Sequence, residues 1–193
     1  MNMYSPPALQ KAAAENSEKL YWQNGLIKLG FVGLCFGAAA LCAPCTSAGR
    51  RLVIVTVGLL SGLGCGLLAF ALGTYLRRYF NTDVPLPLVN ADTRLLVTDS
   101  AVYMLTSSLM VVPMSLVMLL SNAKSRVSKA VSILLAGVVA GLVVPSCASV
   151  IAPSAQTNAF PPVGPVLTMI WLATLAGLVL AFTSITGSRP AKT

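Results

Sequence analysis

The sequence predicts an all-α polytopic integral membrane protein, with about five transmembrane helices in a bundle and an N-terminal interfacial helix. Three observations lead there. Charged residues make up 9% of the 193-residue chain and the set AVILMFWYC 56%, whereas soluble domains carry about 25% charge. Mean hydropathy is +0.81, which leaves too little polar surface to cover a water-soluble globule. Apolar runs of spanning length recur along the chain, without the alternation of a membrane β-barrel. This composition excludes a soluble enzyme, a disordered tail and a conventional nucleic-acid binder.

Residues 1–25 form the polar segment. Ser5, Pro6 and Pro7 ahead of residues 8–20 read as the start of a helix. Leu9, Ala12, Ala13 and Leu20 give that helix a weak apolar face, and Tyr21 and Trp22 stand where an aromatic belt would lie. The segment carries Glu15 and Glu18 and lacks the layout of a signal peptide or an acid-poor transit peptide. It reads either as a helix that docks on a partner or as a solvated lead-in to the first span.

The membrane domain covers residues 26–186, with spans at about 26–43, 52–76, 101–120, 130–152 and 166–185, and residues 187–193 are a tail. A helix crosses the hydrocarbon core with roughly 20 residues, so the second span should tilt or protrude. The first is the shortest, and Lys28 near its start can snorkel to the interface. None of the spans contains Asp, Glu or Arg. Pro113 and Pro145 should kink the third and fourth.

Five spans put the chain ends on opposite sides. One side collects Arg50, Arg51, Lys124, Arg126, Lys129, Arg189 and Lys192 with no acid; the other holds all five acids beside six basic residues. The short basic loops favour the first of these as cytoplasm or matrix. The C-terminus is therefore expected inside.

Small residues four apart are the sharpest pattern. Gly33 and Gly37 stand on the first span, Gly58, Gly62 and Gly66 on the second, Gly137 and Gly141 on the fourth, and Gly177 between Ala173 and Ala181 on the fifth. Such stripes let helix backbones approach closely, which drives association where lipid supplies no hydrophobic force. They pack either on a partner subunit or on one another. Residues 22–70 resemble the small hairpin subunit of the mitochondrial cristae-organising complex in Trp22, Lys28, Gly33, Gly37, Arg50, Arg51, Gly62, Gly64 and Gly66. That resemblance covers about a quarter of the chain and implies only glycine-driven helix association.

Little else suggests chemistry. Cys42 and Cys45 form a C-x-x-C pair, but a zinc site needs two more ligands and the chain has no histidine. Arg77 and Arg78, and the cluster Lys124, Arg126 and Lys129, could hold a phospholipid headgroup such as cardiolipin, or simply anchor helix ends. Met110, Met114 and Met118 read as a ligand groove or as adaptable packing. No catalytic residue, metal or cofactor is expected. The function expected is a non-catalytic accessory subunit of a large membrane complex, such as a respiratory-chain or ATP-synthase assembly of the mitochondrial inner membrane. Its partners would be other membrane subunits and lipids. A small transporter or channel-like protein for an uncharged solute is the first alternative, and a free-standing tetraspan-like scaffold the second.

Overall fold

The computed structural model describes residues 7–38, 41, 47–82, 91–121, 125–151 and 165–187. All of its regular structure is helical. The order is α1 Pro7–Ala38, α2 Ala48–Thr82, α3 Ala91–Leu120, α4 Arg126–Ile151 and α5 Pro165–Gly187. Three stretches are long and apolar enough to cross a membrane, namely Ala48–Phe80 in α2, Leu96–Leu120 in α3 and Arg126–Cys147 in α4. The apolar stretch Thr168–Ser184 of α5 is shorter.

Two expectations about the elements are corrected. The N-terminal helix is not a separate interfacial element, because α1 runs unbroken for 32 residues through both the polar segment and the start of the first span. Gly25 does not break it, because that glycine lies inward beneath the Phe70 ring, where a β-carbon would collide. The connection expected over residues 77–100 is mostly helix, since α2 continues to Thr82 and α3 begins at Ala91. Charged residues end a hydropathy window but not a helix, and here Arg77 and Asp99 find each other across the two extensions. At about 1.5 Å per residue α2 is roughly 50 Å long, well beyond the ~30 Å of a hydrocarbon core.

Neighbouring helices pack in chain order, α1 on α2, α2 on α3, α3 on α4 and α4 on α5, and α1 also touches α3. The first three pairs are antiparallel. Gly37 meets Gly58 while Leu29 meets Gly66. Arg50 reaches the Leu120 carbonyl while Arg77 reaches Asp99. Ser115 reaches the Ala130 carbonyl while Gly141 meets Met104. A buried core of Phe70, Val102, Met110, Ile133, Trp171 and Leu175 ties all but the start of the chain together. Met114 and Met118 pack against it, so the methionine row serves packing. Pro113 and Pro145 both lie inside continuous helices.

Candidate functional site

Two seams meet on α2. The first is the glycine seam with α1. A β-carbon on Gly33 would land on the Gly62 carbonyl, one on Gly37 on the Gly58 carbonyl, and one on Gly66 on the Leu29 carbonyl. Only glycine lets the two backbones lie this close. The stripe Gly58, Gly62 and Gly66 therefore faces the chain's own first helix. At its polar end the Phe70 ring takes Trp22 edge-on at 5.1 Å and Tyr21 at 5.8 Å. Both aromatics are half-buried there, turned onto α2 rather than outward as a belt.

A second close approach joins α3 and α4. A β-carbon on Gly137 would come within 2.7 Å of the Val111 side chain and 3.0 Å of the Ser107 carbonyl, and one on Gly141 would strike the Met104 backbone. Gly177 differs. A β-carbon there meets nothing within 4 Å among the described residues, and Ala173 and Ala181 on the same row are exposed. The five α1/α2 glycines and the two of α4 are thus brought against neighbours, and the α5 glycine is not.

The second seam is polar and was missed by hydropathy. Arg77 on α2 and Asp99 on α3 form an ion pair at 3.1 Å with side chains only 8% and 14% exposed. Both residues lie just beyond the spans expected at 52–76 and 101–120, and within the longer apolar stretches Ala48–Phe80 and Leu96–Leu120. One turn further along α3, Tyr103 sets its ring edge-on to Trp171 of α5 at 5.6 Å. Trp171 is fully buried, and its indole N–H donates to the Ser107 hydroxyl at 2.8 Å. Asp99, Tyr103 and Ser107 stand four apart, so they share one face of α3. That spacing was the available signal, and the arginine opposite it on α2 was the other half.

The remaining basic residues divide by role. The Arg50 guanidinium donates to the Leu120 carbonyl at 3.0 Å and Arg51 to the Leu41 carbonyl at 3.2 Å. Each thus satisfies an acceptor at or just past a helix C-terminus, where carbonyls lack helical partners and the dipole favours a cation. Arg78 pairs with Glu18 at 2.8 Å and lies 5.9 Å from the Trp22 ring centre, joining α1 to α2 beyond the glycine seam. The hydrogen bond from Arg78, and then its charge, hold the Glu18 carboxyl below its ordinary pKa. Arg77 and Arg78 are therefore engaged with acids. Arg126 is exposed and Lys129 half-buried at the start of α4. Lys124, Cys42 and Cys45 lie outside the described residues, and so does nearly all of the proline-rich stretch 153–165.

Among the described residues no three Cys, Asp or Glu side chains converge as a metal site would require. The architecture defines a helical protein with three membrane-length apolar stretches. Compared with protein-family models, with curated proteins and with solved structures, the chain matches none.

Proposed function

We propose that the chain is an integral membrane protein of five spans that serves as a non-catalytic accessory subunit of a larger membrane assembly. The mitochondrial inner membrane is the compartment this reading takes, in a respiratory-chain or ATP-synthase complex, with the C-terminus on the matrix side. The observation that carries it is the division of the small-residue faces. Gly33, Gly37, Gly58, Gly62, Gly66, Gly137 and Gly141 are used inside the chain, which makes their helices a pre-formed unit. The Ala173, Gly177 and Ala181 row of α5 faces outward. Residues 9–20 of α1 are helical yet exposed at every position. An exposed helical segment and an outward-facing smooth row suit contact with other subunits. Arg126 and Lys129, with Lys124, supply the cationic end where an anionic phospholipid such as cardiolipin would bind.

Purification in mild detergent, followed by mass spectrometry of the co-migrating proteins, tests this reading. Gly177→Leu should leave the apparent Tm of the isolated chain unchanged and strip partners from it. A chain that migrates alone, wild type and variant alike, would overturn the proposal.

A second reading, a small transporter or channel-like protein for an uncharged solute, is favoured by one observation. Polar side chains of α2, α3 and α5 meet inside a helical membrane protein, where ionisable groups are costly and tend to mark pathways. Liposome flux of small neutral solutes, compared between wild type and the mild variant Tyr103→Phe, separates it from the first.

A further inference from the structure

The Arg77–Asp99 pair does not stand alone. Thr74 lies one turn before Arg77 on α2, and Thr98 directly precedes Asp99 on α3. Both threonines are buried, at 5% and 1% exposure. Neither hydroxyl has a hydrogen-bond partner among the described residues. Elsewhere in these helices the rule is different. Ser61, Thr106, Ser132 and Thr183 each donate to the carbonyl four residues back, the usual refuge of a hydroxyl in a helix. Thr74 and Thr98 forgo that bond, although a buried hydroxyl without a partner costs as much as a lost hydrogen bond. Two such hydroxyls within a turn of one ion pair indicate a third party that satisfies them.

The charge balance limits what it can be. The guanidinium and carboxylate of the pair cancel each other, so the pair itself calls for neither an anion nor a cation. Each hydroxyl can both donate and accept. We propose that Thr74, Thr98, Arg77 and Asp99 enclose a binding site between α2 and α3 for a small neutral molecule that donates and accepts hydrogen bonds, water being the smallest. Entry is short. Arg77 is five residues from the end of α2, about 8 Å along the helix. Bound water lowers the cost of the buried charges, as buried water does for polar groups that protein atoms leave unsatisfied. The site exists whatever partner the chain takes.

Water itself is the probe, and the full-length protein in detergent or nanodiscs is the sample. Valine matches threonine in shape and removes only the hydroxyl function. In a dry seam, Thr74→Val and Thr98→Val would discard an orphan group and raise the apparent Tm. In a hydrated seam they remove a partner of the bound water, and each should lower Tm by ~2–4 °C. Thr74→Ser and Thr98→Ser keep the hydroxyl and should retain most of the wild-type Tm. X-ray radiolysis supplies the second readout, because radicals formed from bound water oxidise adjacent side chains. Tyr103, one turn from Asp99, should be labelled severalfold less in the double valine variant than in wild type, while the double serine variant keeps its label. Met110, fully buried and about three turns from Asp99 along α3, is the dry reference and should stay unlabelled throughout. Valine variants that melt higher than wild type, or a Tyr103 label indifferent to them, would overturn the proposal.

Discussion

The two seams of α2 achieve adhesion by opposite means. Toward α1 the helix presents Gly58, Gly62 and Gly66, and the contact is backbone on backbone. Toward α3 it presents Arg77, and the contact includes a buried ion pair with Asp99. The glycine seam adheres by dispersion over a long, smooth contact, and no polar group has to find a partner. The polar seam has its buried charges at one level, and its strength there depends on Arg77 and Asp99 staying paired. The first tolerates no added side chain at its closest points; the second tolerates almost no change of charge. One helix can therefore be fixed in distance by one neighbour and in register by another.

The largest expected effect lies in the polar seam. Asp99→Asn leaves the Arg77 charge buried without its counter-ion, and breaking a buried pair in this way costs about 3–5 kcal/mol. The loss should appear as a large drop in apparent Tm, or as failure to purify in folded form. Exchanging the charges, Arg77→Asp with Asp99→Arg, should recover part of it, because the pair is restored with altered geometry. An Asp99→Asn protein that melts with wild type would mean that the pair does not hold α2 against α3.

Next in size is the glycine seam. Gly62→Leu drives a side chain into the Gly33 carbonyl, and overpacking typically costs ~1–3 kcal/mol. Gly64→Leu is the matched control, because a β-carbon there meets nothing within 4 Å among the described residues. Thermal unfolding of the two variants should differ clearly, with Gly62→Leu the less stable. Equal stability would break the contrast between the seams, since α1 would then not lie on this face of α2.

The two seams were unequally legible in the sequence. Gly33, Gly37, Gly58, Gly62 and Gly66 announce a close approach by spacing alone, and each of them is used in one. Their spacing could not say which surface they meet, because a small residue fits a sister helix and a partner subunit equally well. Gly177 has the same signature as Gly141 and no neighbour among the described residues. Arg77 and Asp99 were illegible for another reason. Hydropathy adds residues along one chain segment, so a charge always reads as the end of a span. Neutralisation across two helices is a property of pairs 22 positions apart, which no local window contains. The same blindness divided α1 into a polar segment and a span, although no helix breaker separates Pro7 from Ala38. Trp171 likewise reads as one more apolar residue until the Ser107 hydroxyl is found opposite its indole N–H.

The smallest expected effect tests whether an exposed ion pair adds anything to the glycine seam. Glu18 and Arg78 extend the α1/α2 contact past Phe70, but their side chains are 57% and 59% exposed. Exposed pairs contribute little and are screened by salt. The sign of the pH dependence is fixed by Glu18, whose folded-state pKa is held down first by the hydrogen bond from Arg78 and then by its charge. A depressed carboxyl pKa stabilises the folded state above the unfolded value, and that stabilisation is lost as pH falls through the folded value. Wild type should therefore melt slightly above Glu18→Gln at neutral pH and low salt. The gap should close as the solution is acidified through the ordinary glutamate range and below, and it should also close when salt is added at neutral pH. A gap that persists in acid would assign the effect of Glu18→Gln to something other than its charge, such as lost packing on Trp22. No gap at neutral pH would leave Phe70, Trp22 and the glycines as the whole of the α1/α2 contact.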